Sequence, residues 1–270
     1  MKLSSPRPAG SIVDWRLVPA LAGGLSVVYL LTFVLGARDS AFFSRADIAA
    51  GALGGGGLIT FLFPVALLLP AALSWSAVTG HRALLAIHAR TELRKFLARQ
   101  LAHAFLSTAA TIWVAHMIVF GASFYVLSST GLVRYVPEGR VTWQGEVSRL
   151  ANEDQFGALA LIHPLAWAAG ESGWHALWAG LLAVLACAAL LILSNRFLAL
   201  SLPALIFYVG SLVLGAVPPM HVVLAMVVFP TLWGPQGWGV FLVPLAALGV
   251  VTLTAVGYAL ARLPSTPVLR

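Results

Sequence analysis

The sequence predicts an all-α polytopic membrane protein with six transmembrane helices, both termini inside, and a re-entrant outer hairpin between spans 5 and 6. Of the 270 residues, 60% are hydrophobic and only 9% are charged, whereas about 25% of an average soluble domain is charged. Six uncharged runs are long enough to cross a bilayer, and basic residues are concentrated on one predicted side. Soluble enzyme folds are therefore excluded. The single cysteine, Cys187, lies in an apolar run, so neither a disulfide framework nor a cysteine metal site is expected.

The spans follow from length, because a hydrocarbon core of about 30 Å requires about 20 helical residues. They cover residues 17–36, 54–78, 104–126, 174–193, 198–217 and 240–260 of a single membrane domain, residues 1–270. The first is longer than the apolar core of a signal peptide and is expected to stay as an anchor. Between the last two spans, the apolar piece Val222 to Phe229 is bounded by prolines and is too short to cross. It predicts the re-entrant or interfacial hairpin, within residues 218–239.

Orientation follows from the distribution of basic residues. With the N-terminus inside, the inner side has only Asp14 and Glu92 as acids, and its eleven basic residues are Lys2, Arg7, Arg16, Arg82, Arg90, Arg94, Lys95, Arg99, Arg196, Arg262 and Arg270. The outer side holds five arginines and seven acidic residues. An inner charge of +9 against an outer charge of −2 predicts N-in and C-in. The total of +7 is attributed to loops facing anionic lipid, and no nucleic-acid partner is expected.

The predicted spans hold almost no ionisable groups. All Asp, Glu, Lys and Arg residues fall in predicted loops or at helix ends, which leaves His116 as the one histidine well inside a span, and it is expected to be a packing residue. Ion-coupled carriers need such groups, so the energy for any transport is expected to come from elsewhere. No hydrolase motif or catalytic constellation is found. Six tryptophans near predicted span boundaries are typical of an interfacial aromatic belt: Trp15, Trp75, Trp143, Trp167, Trp174 and Trp178.

The main predicted cytoplasmic surface is the loop 80–100, GHRALLAIHARTELRKFLARQ. Its second half predicts an amphipathic helix that leads into the third span. The apolar positions of this helix are Leu93, Phe96, Leu97 and Leu101, and Arg94, Lys95 and Arg99 lie opposite. Leu84, Leu85 and Ile87 supply a second apolar face before a break near Thr91. Two interpretations remain open: an interfacial helix on anionic headgroups, or a docking helix for a soluble partner.

This loop resembles the coupling segment of type 2 (ABC-2) ATP-binding-cassette permeases, which bridges the second and third of six spans. Leu84 and Leu85 match the family's leucine pair, and Arg94 with Lys95 matches its basic pair, whereas Ala89 stands where a proline is common. A similar inner turn, SNRFLALSLPALIFYV at residues 194–209, opens the fifth span. The family also has a re-entrant hairpin after its fifth span.

The resemblance implies a transmembrane subunit of an ABC exporter that moves an amphiphilic substrate (a lipid, peptide or drug) across the plasma membrane. No GxxxxGK[ST] loop occurs in the chain, so the ATPase is expected to be a separate subunit, and this chain is not expected to be an enzyme or to bind a cofactor. The implied partners are that ATPase, a second identical or homologous permease subunit, and membrane lipids. The implied ATPase-coupling residues are Leu84, Leu85, Ile87, Arg90, Arg94 and Lys95. The alternatives are a non-transporting membrane anchor or scaffold for a soluble partner and, third, an enzyme acting on lipid.

The outer loop, residues 127–173, contains another amphipathic pattern. Trp143, Val147, Leu150 and Ala151 align on one face of a predicted helix, with charged residues on another. A helix lying on the outer leaflet as a lid, or a gate or substrate-recognition cap, would fit this pattern.

Overall fold

A computed structural model describes residues 17–54, 93–136, 154–216, 227–230 and 237–262, together with positions 15, 63, 75, 145, 147, 148, 150 and 152. Within this part the chain is mostly helical, as predicted. Most of the second predicted span, the first half of loop 80–100 and most of the predicted re-entrant hairpin lie outside the described residues.

Five described helices are long and apolar enough to cross a membrane. They are α1 (Leu17–Gly36), α3 (Leu93–Gly121), α4 (Pro164–Ile192), α5 (Arg196–Ala216) and α6 (Trp238–Arg262). A π-helical segment, Ala122–Leu127, and a short helical turn, Ser128–Thr130, prolong α3. The chain is thus a multi-pass membrane protein, and its first helix matches the predicted span 17–36.

Two helices differ from the predicted spans because hydropathy alone does not locate a helix end. α4 begins ten residues before the predicted start of the fourth span at Trp174. His163 caps its first turn, with Nδ1 accepting from the N–H of Leu165 at 3.1 Å, and Pro164 supplies a favourable first helical residue. α3 begins at Leu93, where the predicted amphipathic helix continues into the span without a break. Leu97 and Leu101 are buried while Arg94, Lys95 and Arg99 are exposed, which confirms the predicted faces.

α3 and α4 form the centre of the bundle and make the most extensive helix–helix contact in the described part. α1 packs on α3, whereas α5 and α6 pack on α4. Apolar residues form three clusters in succession along this pair: one around Leu97 and Leu190, a middle one around Ile112 and Trp178, and a third around Phe120 and Trp167. The order of the clusters shows that α3 and α4 run antiparallel.

The two ends of the bundle differ in charge. The basic end, where α3 and α5 begin and α4 and α6 end, carries no acid among the described residues, and its basic residues are Arg94, Lys95, Arg99, Arg196 and Arg262. At the opposite end, which we call the mixed end, the charged residues are Arg38, Asp39, Arg45, Asp47, Arg134, Asp154 and Glu171. All described acids therefore lie toward the mixed end.

The mixed end is covered by short elements. β1 (Ala41–Phe42) pairs in parallel with β2 (Arg134–Tyr135), and α2 (Arg45–Leu53) packs against the π-helical segment. Ser44 and Asp47 form a capping box at the start of α2: the Ser44 hydroxyl accepts from the Asp47 N–H, and the Asp47 carboxylate accepts from the Ser44 N–H, each at 3.0 Å. These contacts fix the chain that follows α1 across the end of the bundle.

The outer loop folds onto this end. Val147 and Leu150 are helical and buried in the same cluster as α1, α3 and the start of α4, as their predicted apolar face requires. A 3₁₀ helix, Gly157–Leu161, packs on α4, where Gly170 permits a close approach: a Cβ at this position would lie 2.6 Å from the Leu159 side chain. The described part of the loop therefore packs against the bundle at the mixed end.

Candidate functional site

The predicted coupling residues divide into two groups. Leu84, Leu85, Ile87 and Arg90 lie outside the described residues. Arg94 and Lys95 are exposed on the first turn of α3, at the basic end.

The neighbouring turn at the basic end begins α5. The Asn195 side-chain oxygen accepts the backbone N–H groups of Phe197 and Leu198, at 3.0 and 3.2 Å, which fixes the start of the helix. The Phe197 side chain is 83% exposed beside Arg196. The basic end thus presents arginine and lysine together with the exposed aromatic side chains of Phe197 and Tyr258.

A second site, which is not among the predicted site residues, lies between α3 and α4. Glu171 is in the second turn of α4 and is fully buried, with no N–H or hydroxyl donor to either carboxyl oxygen among the described residues. His175 follows it at i+4 and therefore lies on the same helix face. His175 packs against His116 of α3, with ring centroids 4.6 Å apart. α4 thus contains a second buried histidine and a buried carboxyl group, neither of which was expected inside a span.

The imidazole pair lies between the middle cluster and the third cluster along α3 and α4. Both rings are at most 1% exposed. The Val228 backbone lies within hydrogen-bonding reach of His175, whereas the His116 nitrogens have no hydrogen-bond partner within the described part of the chain. Aromatic rings surround them: Tyr29 of α1 stands edge-on to His116 at 5.1 Å, and Phe229 lies 4.8 Å from His175.

Asp154 joins this site from the outer loop. Its carboxylate accepts the Phe156 N–H at 2.7 Å and lies close enough to Glu171 for the two carboxyl groups to interact directly. Burial raises the pKa of Asp154, and the Phe156 N–H, the Glu171 carboxyl and the Trp167 indole each oppose that increase. Two adjacent buried carboxyl groups cannot both be ionised, so at least one holds a proton. Glu171 is the more buried of the two and has no N–H donor among the described residues.

The segment Val227–Pro230, part of the predicted re-entrant hairpin, closes this site from one side. Its four residues are buried, and Val227 and Val228 are helical. The Trp174 indole N–H donates to the Val227 carbonyl at 2.7 Å, which ties the segment to α4.

The described tryptophans of α4 do not form the predicted interfacial belt. Trp167 and Trp178 are at most 1% exposed, and Trp174 is 8% exposed. The same holds for Trp75, at 0% exposure, whereas Trp15 is exposed as a belt residue would be. Trp143 lies outside the described residues.

The missed cluster had a signal in the sequence. Glu171 and His175 are spaced i, i+4 directly before an uncharged run, but a span that starts at Trp174 leaves Glu171 in the outer loop. The contacts with His116 and Asp154 join residues far apart in the chain, which no local pattern shows. No group of three His, Cys, Asp or Glu side chains within the described ranges is placed to hold a metal ion.

Comparison with known proteins adds no relative. No protein family, curated protein or solved structure matches the chain.

Proposed function

We propose that the chain is the transmembrane subunit of an ABC exporter, which moves an amphiphilic substrate (a lipid, peptide or drug) across the plasma membrane and is driven by a separate ATPase. The single observation that carries the proposal is the continuity of α3. This helix runs unbroken from the exposed Arg94 and Lys95 at the basic end to His116 in the middle of the bundle. A partner that displaces the basic end would therefore move the centre of the membrane domain.

The charges of the two ends support an orientation with the basic end in the cytoplasm. Five basic residues and no acid at one end, among the described residues, agree with the preference of Lys and Arg for the inner side. With six spans, both termini would then be inside.

A re-entrant hairpin between spans 5 and 6 is part of the same proposal. It is supported by the burial of Val227–Pro230 and by the hydrogen bond from Trp174. Cysteines placed at Pro219 and Gly234 should both be labelled from outside the cell, and labelling from opposite sides would show that the intervening segment crosses the membrane.

The partners in this proposal are an ATP-binding-cassette subunit docked beneath residues 80–100, a second permease subunit and membrane lipids. Docking through Leu84, Leu85 and Ile87 would place a short apolar helix in a groove of the ATPase, as helix-in-groove recognition does. Arg94 and Lys95 would then flank that groove. An unpaired carboxylate buried in such a groove costs several kcal/mol, and each 1.4 kcal/mol lowers affinity about tenfold.

The test is to introduce Leu84→Asp, Leu85→Asp and Ile87→Asp separately and to purify the full chain with its associated ATPase. Each variant should lose ATPase retention and substrate-stimulated ATP turnover by at least about tenfold. Ala98→Asp is the matched control, because it adds the same charge at an exposed position of α3 outside the proposed docking helix. Retention and turnover equal to wild type in all three variants would remove the coupling role from this segment. If the wild-type chain retains the ATPase but no substrate stimulates ATP turnover, the alternative of a non-transporting membrane anchor would be favoured.

A further inference from the structure

The buried carboxyl and imidazole groups lie in succession from the mixed end to the middle of the bundle. Asp154 contacts Glu171, Glu171 precedes His175 by one helical turn on the same face, and His175 packs against His116 with the two rings tilted by 44°. From Glu171 to His175 the axial step is about 6 Å. The exposed fraction falls along this series, from 5% at Asp154 to 0% at Glu171 and His175. Asp154 is therefore the member nearest to solvent.

The ligand of such a site is limited by its packing. Glu171, His175 and His116 are each at most 1% exposed, and aromatic rings fill their surroundings. A substrate or a hydrated metal ion would require these side chains to separate. A proton needs no cavity, and groups whose lone pairs have no other donor are its natural acceptors.

We propose that Asp154, Glu171, His175 and His116 form a proton-binding site that is loaded from the mixed end of the bundle. A proton from water binds the Asp154–Glu171 pair, which then holds one proton in a carboxyl–carboxylate hydrogen bond. When a proton moves inward, the Glu171 O–H bond breaks, a new N–H bond forms on His175, and a carboxylate–imidazolium pair results. His116, which packs against His175, is the next acceptor. Protons and charge balance without any further reactant.

The other groups that face this series are few within the described residues. α1 contributes the Tyr29 hydroxyl, which has no hydrogen-bond partner there, and α5 contributes Tyr208 at the edge of the middle cluster. Val227–Pro230 and Phe63 contribute no titratable side chain. No described Lys or Arg neutralises Glu171, because the basic end lies at the other end of α4.

The first test is infrared difference spectroscopy of the full chain in liposomes. At neutral pH the wild type should show the C=O stretch of a protonated carboxylic acid, and this band should shift in D₂O. Labelling with ¹³C-glutamate should move the band without any substitution, which assigns it to glutamate even where a variant fails to fold. Glu171→Gln should remove it, whereas Asp39→Asn, at an exposed carboxylate near the same end, should leave it unchanged. Absence of a protonated glutamate at neutral pH, or a band that survives Glu171→Gln, would overturn the proposal.

The second test follows the imidazoles by solid-state NMR of ¹⁵N-histidine in the same liposomes. On acidification, one buried imidazole should become an imidazolium, and its signal should be absent in His175→Gln. In Glu171→Gln, which lacks the proton donor, the imidazolium signal should be at least about tenfold weaker than in the wild type. His163→Gln is the matched control, since His163 is exposed at the start of α4. If both buried imidazoles stay neutral at every pH at which the protein remains folded, the inward transfer is wrong.

Discussion

Gly180 lets α3 and α4 approach each other, and replacing it with alanine tests the contact that brings the two histidines together. A Cβ at Gly180 would lie 2.6 Å from both Cδ2 and Cε2 of Phe105 and 3.1 Å from its Cγ. Because three atoms of one ring are too close, the whole ring has to move. Phe105 packs against the cluster around Leu97 and Leu190, so its displacement disturbs the basic half of the α3–α4 interface.

The magnitude follows from two opposing effects. Alanine is favoured over glycine in a helix by about 1 kcal/mol, whereas overpacking costs about 1–3 kcal/mol. Gly173→Ala is the matched control on the same helix, because a Cβ there meets nothing within 4 Å. The two variants should therefore differ by about 1–3 kcal/mol in the free energy of unfolding. Each kcal/mol shifts the midpoint of thermal unfolding by about 2–4 °C for a chain of this size, so the midpoints of the two variants should differ by about 2–12 °C.

The assay is thermal unfolding of the purified protein in detergent, followed by tryptophan fluorescence. Gly180→Ala should unfold below Gly173→Ala, and Phe105→Leu should recover part of the loss when combined with Gly180→Ala, because the clashing ring is gone. Equal midpoints for the two alanine variants would refute the close approach of α3 and α4 at this position.

Two further predictions concern Asp154 and the orientation. Since burial raises the pKa of Asp154 above its ordinary 3.8, the folded protein holds this proton more tightly than the unfolded chain does, and the resulting stabilisation is lost as pH rises through the folded pKa. Asp154→Asn should therefore flatten the fall of the thermal midpoint with rising pH, whereas Asp39→Asn should not; an unchanged slope in Asp154→Asn would contradict the assignment. In a Cys187→Ala background, Glu146→Cys should be labelled from outside intact cells and Arg94→Cys should not, and efficient outside labelling at position 94 would reverse the proposed orientation.

The sequence could predict the elements whose signal is local. α1 begins and ends at the predicted residues because its apolar run and its helix coincide. The faces of the first turns of α3 follow from the spacing of Leu97 and Leu101 against Arg94 and Arg99, and the structure confirms them. Both patterns depend only on neighbours within one helix.

The sequence could not predict the buried cluster, for two physical reasons. Hydropathy averaged over a window of residues predicts a span that begins after the last charged residue. It therefore places Glu171 in a loop, although α4 continues through this residue. A carboxyl group inside a helix bundle is tolerated when it is neutral and has a polar neighbour, and here that neighbour is Asp154, a loop residue. Such pairing becomes visible only when the tertiary contacts are known.

The two proposed sites share one mechanical element. Arg94 and His116 are both on α3, and Phe105 lies midway between them, about 16 Å along the helix from each. The Phe105–Gly180 contact therefore lies between the basic end and the His116–His175 pair, and a movement of α3 at the basic end has to displace this contact to change the pair. Because α4 packs tightly against α3 at Gly180, the two helices cannot slide there without moving the Phe105 ring. A displacement of α3 that separates His116 from His175 therefore has to be a rotation about this contact, because a shift of α3 and α4 together would keep the two imidazoles in contact.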